Sequence, residues 1–369
     1  MSFKPIGGRF KFGIDIDDMW RYAGIPDPPS VVIPFLLTRK TYNGEFSLPP
    51  AAGVRRTHGR GERTDSLVME ENSHDTSRLS RKVAVFIKKS GIDYVRCWFP
   101  WNFFESDIEE GFQFPLDDFV RAMHEAGVGI VAVVGDGYRR FVPRGAKTSD
   151  IDAYIKQLVK SSEEIVDHYK GRIDVWQIEN EPNSWAGQAM VDWRSGAIWF
   201  APSSREKILG ALAAVVRSES PRSKIIINID YLGLKVDWRM YERYCDMIGL
   251  DLYPSYINPY ATAVAGIGNL AEQVGKETDM PIYIIETGYP TGPRLLGFSS
   301  ARQAEYVSSV CRQASSCEKL SGLGIYRFAD SYWDSFPPQE NHFGLLTVQG
   351  EPKPAWNEYV RQIRRAHGR

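Results

Sequence analysis

Eight short runs of apolar, mostly β-branched residues punctuate this chain, separated by segments with helical spacing. The runs cover residues 12–17, 93–98, 129–134, 174–178, 224–229, 247–253, 281–286 and 323–328. Most are continuous apolar stretches rather than strict alternations, which is how parallel strands covered by helices read. Residues 79–89 place Leu79, Val83, Phe86 and Ile87 on one helical face. Residues 117–126 follow Pro115 and stop at Gly127. Residues 151–169 set Ile151, Tyr154, Ile155, Leu158, Val159, Ile165 and Val166 in helical register, and segments 204–218, 300–315 and 354–366 continue the pattern. Strand and helix in alternation predict a parallel sheet. Eight repeats close it into an α/β fold of the (β/α)8 TIM-barrel type. The 369 residues fit one such barrel, residues 1–369, with no second domain.

Two connections exceed what a barrel needs. Residues 25–78, after the first strand, are rich in Pro, Gly, Arg and polar side chains, with one strand-like run at 31–37. They read either as an insertion shaping the entrance at the C-terminal face or as a mobile surface loop. The connection 182–203 holds Trp185, Trp193, Trp199 and Phe200 without helix or strand periodicity, so its aromatics do not read as core.

Two strands end in an unusual way. The run Val175-Trp176-Gln177-Ile178 leads into Glu179-Asn180-Glu181-Pro182, and Pro281-Ile282-Tyr283-Ile284-Ile285 leads into Glu286-Thr287-Gly288. A carboxylate at a buried strand tip is costly to desolvate. Placed twice, at the face where barrels build their active sites, Glu181 and Glu286 read as a catalytic pair. Glu179 should point away from its neighbour Asn180 and reads as structural. Paired carboxyl groups roughly 5 Å apart are what retaining cleavage of a glycosidic bond requires: one attacks the anomeric carbon, and the other protonates the leaving oxygen and then activates water.

With these residues the chain resembles the clan A glycoside hydrolases, retaining enzymes built on (β/α)8 barrels. The resemblance implies that Glu181, in the fourth-strand Asn-Glu, is the acid/base and that the seventh-strand Glu286 is the nucleophile. It implies that Asn180 hydrogen-bonds the sugar 2-hydroxyl, that Arg96 of the second strand lies beside the nucleophile, and that Tyr253 at the end of the sixth strand hydrogen-bonds it. Several clan members carry His two residues before that Tyr; here the place holds Asp251, which could raise a neighbour's pKa or bind a sugar hydroxyl. The clan sets an aromatic platform near the end of the eighth strand, for which Trp333 is the candidate and Phe328 and Tyr332 the alternatives. Trp98 and Trp101 read equally as subsite or wall residues, and Trp185, in the aromatic loop after Pro182, reads as a substrate-binding residue. Asp15 and Asp17 carry acid on one face of the first strand, in a salt bridge or toward sugar. The activity implied is hydrolysis of β-linked oligosaccharides or glycosides through a glycosyl-enzyme intermediate. The same carboxylates would serve a transglycosylase, with a sugar replacing water. A barrel that only binds sugar would lack one carboxylate, and neither is missing.

Other classes fit poorly. With 45 basic and 46 acidic residues the net charge is −1, which leaves no electrostatic footprint for nucleic acid or an anionic membrane. No apolar run reaches membrane-spanning length. The six His are scattered, and there is no Walker loop, dinucleotide fingerprint or Gly-x-Ser-x-Gly elbow, so no metal or cofactor is expected. The expected partner is a carbohydrate substrate. The first ten residues lack the apolar core of a signal peptide, and Cys97, Cys245, Cys311 and Cys317 show no framework spacing; both predict a reducing cytoplasm.

Overall fold

The computed structural model describes residues 9–16, 76–99, 104, 114–135, 150–183, 202–231, 236–254, 256, 260, 266–331 and 338–368. Eight parallel strands pair in sequence order and close into a barrel, β8 against β1. They are β1 (Lys11–Asp15), β2 (Tyr94–Trp98), β3 (Gly129–Val134), β4 (Val175–Ile178), β5 (Lys224–Asp230), β6 (Met247–Leu252), β7 (Ile282–Thr287) and β8 (Leu320–Ile325). The helices are α1 (Thr76–Lys89), α2 (Asp117–Ala126), α3 (Ile151–Tyr169), α4 (Pro202–Glu219), α5 (Trp238–Glu242), α6 (Ile267–Glu277), α7 (Ser300–Ser315) and α8 (Pro354–Ala366). This is the expected (β/α)8 barrel.

Local signals explain the helix ends. Gly127 caps α2 in the left-handed conformation and donates to the carbonyls of His124 and Met123. The Asp150 carboxylate accepts from the backbone N–H groups of Asp152 and Ala153 at the start of α3. α8 begins on Pro354.

Three expectations are corrected. β8 spans Leu320–Ile325, three residues earlier than the 323–328 run. Its two glycines weaken the strand signal, yet the barrel needs them. A Cβ on Gly322 would stand 2.7 Å from the Tyr283 ring, and one on Gly324 would stand 2.4 Å from the Ile285 carbonyl oxygen. Two helices were not anticipated: α6, where Gly268 and Gly275 interrupt the helical spacing of Ile267, Leu270, Ala271 and Val274, and α5, whose five residues are too few to show a period. Residues 76–78, expected in the insertion, open α1 instead. The rest of that insertion lies outside the described residues, as do Asp17 and the aromatics of 184–201.

The core has two parts. One lies between strands and helices. The other fills the barrel's lumen with Tyr94, Val131, Val175, Ile226, Met247, Tyr283 and Ile285. Gly13 leaves room for it, since a Cβ there would lie 2.1 Å from the Tyr94 ring. Side chains two residues further along a strand face the same way. Asp15, Arg96, Gln177 and Asn228 therefore form the next layer toward the C-terminal mouth, and all four are buried. The lumen thus changes from apolar to polar within one layer.

Candidate active site

Arg96 organises the polar layer. Its Nε donates to Gln177 Oε1 at 2.7 Å and its Nη2 to Asn180 Oδ1 at 2.9 Å. Its Nη1 pairs with Asp15 and, at 2.7 Å, with Glu286 Oε1. Burial opposes this cation, but Glu286, Asp15 and Asp251 outweigh it and hold the guanidinium above its already high pKa. The Trp98 ring lies 5.1 Å from the Arg96 guanidinium carbon, which places Trp98 beside the charged layer.

Glu286 is held from its other side as well. Tyr253 OH donates to Glu286 Oε2 at 2.7 Å. Burial, then Glu286, raises the Tyr253 phenol above its ordinary value, so it stays a donor. A register shift between β6 and β7 after Leu250 brings Glu286 opposite Asp251. Such bulges re-aim side chains at barrel rims. Thr287, next along β7, donates to the Leu252 carbonyl at 2.7 Å and fixes the strand end.

At the end of β4 the backbone turns tightly. Glu179 and Glu181 both take positive φ, 59° and 44°, which costs a non-glycine residue about 1–2 kcal/mol. Glu179 is buried with a carboxylate oxygen against Gly135, where a Cβ would stand 2.7 Å away. Its side chain packs under the end of β3. Asn180 is buried between, and its Oδ1 collects donors from Arg96, Asn228 at 2.7 Å and Gln177 at 3.3 Å. Three donors on one oxygen fix which way that amide faces. Glu181 keeps 9% of its surface exposed and Glu286 7%, so both are largely shielded.

Asp251 lies between the two. Burial first, then the charges of Glu286 and Glu181, pushes its carboxyl well above the ordinary value. Asp251 Oδ2 accepts from Asn228 at 2.6 Å, and among the described residues its Oδ1 is buried without a hydrogen-bond partner.

β1, β2, β4, β6 and β7 thus bring Asp15, Arg96, Asn180, Asp251, Tyr253 and Glu286 into one network, with Glu181 at its edge. Asp15 is the salt-bridge partner of Arg96. Phe328, an alternative platform, is instead core: its ring packs edge-on against Phe86 and Trp356. Trp333, Tyr332, Trp101 and Trp185 lie outside the described residues. Sequence reasoning missed Gln177, Asn228 and Tyr326. Tyr326 directly follows β8, joined to Arg327 by a cis peptide. Its ring stands edge-on to Tyr253 at 5.9 Å, and its hydroxyl donates to Glu340 Oε2 at 3.2 Å. A polar residue interrupting an apolar strand, as Asn228 does in Ile225-Ile226-Ile227-Asn228-Ile229, was the available signal. Among the described residues no group of three or more His, Cys, Asp or Glu is placed to hold a metal ion, and no helix is long and apolar enough to cross a membrane.

The sequence matches no protein-family model and no curated protein. Solved structures do share the fold. A family 39 glycoside hydrolase from Bacteroides cellulosilyticus WH2 superposes with a TM-score of 0.57 at 16% identity over 77% of this chain; the chain spans 60% of that protein's length. GH5_18 from Streptomyces cattleya, in complex with GlcNAc, gives 0.63 at 14% identity, covering 79% of this chain and 75% of that one. A GH5_18 from Bifidobacterium longum subsp. infantis gives 0.59 at 18% identity, covering 78% and 73%. At these identities the likeness is one of fold: this chain folds as the same kind of closed (β/α)8 barrel.

Proposed function

We propose that this protein is a retaining glycoside hydrolase of the clan A type, acting on β-linked glycosides. The carrying observation is the environment of Glu286. One oxygen faces the Arg96 guanidinium at 2.7 Å and the other accepts from Tyr253 at 2.7 Å. A cation and a hydrogen-bond donor stabilise a carboxylate as an anion, which is the state a nucleophile needs.

Glu286 attacks the anomeric carbon, and the bond to the aglycone oxygen breaks as Glu181 gives that oxygen its proton. The glycosyl-enzyme ester then yields to water, whose proton Glu181 takes. Arg96 and Tyr253 recover Glu286 as the leaving carboxylate. Asn180, its oxygen occupied by donors, turns its amide nitrogen toward the sugar 2-hydroxyl. Tyr326 and Trp98 supply aromatic surface at the mouth. Fold alone does not fix activity; the disposition of charge around Glu286 supports the reading.

The test uses aryl β-glycosides. Glu286→Gln should abolish turnover. Azide should restore Glu286→Gly and give a glycosyl azide of inverted configuration, because azide then enters from the nucleophile's side. Azide on Glu181→Ala should give the retained azide, because it replaces water on the ester. Wild-type turnover by Glu286→Gln would refute the assignment.

A further inference from the structure

Asn228 lies on β5, outside the Asn180, Glu181 and Glu286 positions, and is fully buried. Every hydrogen-bonding position of its carboxamide is occupied. Oδ1 accepts from Gln177 Nε2 at 2.8 Å and from the backbone N–H of Glu181 at 2.8 Å. Nδ2 donates to Asn180 Oδ1 at 2.7 Å and to Asp251 Oδ2 at 2.6 Å. With two donors and two acceptors met, the amide has one orientation; turning it over would oppose like groups at all four contacts. Just beyond, the Asn183 side chain spans the Asp230 backbone in both directions, accepting from its N–H at 3.0 Å and donating to its carbonyl at 2.9 Å. Residues 181 and 183 are thus tied to the same strand, and between Glu179 and Pro182 the chain holds two left-handed glutamates. Non-glycine residues keep such conformations only where their surroundings over-determine them.

We infer that Asn228 is a positioning residue for the acid/base: by accepting the Glu181 N–H while bonded to Asp251, it clamps the left-handed turn that aims the Glu181 carboxyl at the leaving-group oxygen, with Asn183 as the second point of the clamp. This rests on the glycosidase reading. The clamp acts on proton donation, because Asn228 holds the Glu181 backbone directly, whereas Glu286 is held directly by Arg96 and Tyr253 and makes no hydrogen bond to Asn228.

Phenyl and dinitrophenyl β-glucosides, β-galactosides and β-mannosides separate these roles. A phenolate leaving group needs its proton; a dinitrophenolate leaves without one. Asn228→Ala should lower kcat/KM for the phenyl substrate about 100-fold and for the dinitrophenyl substrate less than about tenfold, within the range of lost general-acid catalysis. Asn228→Asp keeps the acceptor for Glu181 N–H but not the donors to Asn180 and Asp251, so its loss should be the same on both. Thermal unfolding monitors the fold. If Asn228→Ala does not fold, Asn183→Ala, which leaves Asn180 and Asp251 untouched, should show the same preference at smaller size. Equal losses on both substrates for Asn228→Ala, or for Asn183→Ala in its place, would overturn the inference while leaving the glycosidase reading intact. A wild-type protein inactive on every glycoside would instead overturn that reading and this inference with it.

Discussion

Replacing Arg96 with Met tests whether one cation holds the acidic mouth together. The side chain is about as long and as apolar along its stem, so the change removes charge more than volume. At 2.7 Å the attraction between Arg96 and Glu286 is about 6 kcal/mol at an effective dielectric of about 20, and Asp15 adds a second pair. Burying each ion costs several kcal/mol in return. Methionine would leave Asp15 and Glu286 buried without their cation, beside Asp251, and removing one partner of a buried pair costs about 3–5 kcal/mol. Urea unfolding at neutral pH should register a loss of that size. The sign with pH follows from charge: an acidic cluster that has lost its cation gains by taking up protons, so the deficit should shrink as the pH falls toward 4. Turnover should fall by far more than stability accounts for, because the nucleophile has lost one of its two supports. A loss below about 1 kcal/mol at neutral pH, or a deficit that does not change with pH, would refute the reasoning.

Asp251→Asn should be stabilising relative to wild type, increasingly so as the pH rises above about 4. A carboxyl raised by burial, Glu286 and Glu181 favours the fold below its unfolded value and loses that contribution as the pH rises through its folded value; urea midpoints that move the opposite way would contradict this. Tyr253→Phe removes the 2.7 Å hydrogen bond to Glu286. It should cost about 1.5–3 kcal/mol of transition-state stabilisation, roughly 10- to 150-fold in kcat/KM, with little change in melting temperature. Gly13→Ala would drive a methyl group into the Tyr94 ring at 2.1 Å. It should destabilise the barrel by about 1–3 kcal/mol or more, measured by urea unfolding, with no specific effect on leaving-group dependence.

The barrel was legible because its strands are covered by helices and read as unbroken apolar runs. Helices α2, α3, α7 and α8 keep the predicted bounds because their caps and prolines are local signals. Glu181 and Glu286 stood out because each stands at the tip of an apolar strand, where a carboxylate is costly to bury. Elements whose signal glycine obscures were lost: α6, where two glycines break up an otherwise helical spacing, and β8, because the glycines that admit Tyr283 and the Ile285 carbonyl look like interruptions.

The polar layer failed to show for a different reason. In a half-exposed antiparallel strand, alternation tells which side each residue faces. Here both faces are buried, so Ile225-Ile226-Ile227-Asn228-Ile229 has no visible parity. Only closure of the barrel, with Ile226 in the lumen beside Tyr94 and Val175, assigns Asn228 to the layer shared with Arg96 and Gln177. The placement of Glu286 beside Asp251 depends on a bulge, and a bulge is a property of two strands together, not of either sequence alone. Charged residues at strand tips therefore announce themselves, whereas the neutral amides that aim them show in the sequence only as polar interruptions, and their partners emerge only when register is known. Asn228 and Gln177 make all their contacts across strands distant in sequence, apart from those of Gln177 to its own strand end. The groups read most easily here are those whose charge must be stabilised, and the groups that stabilise it are fixed by topology.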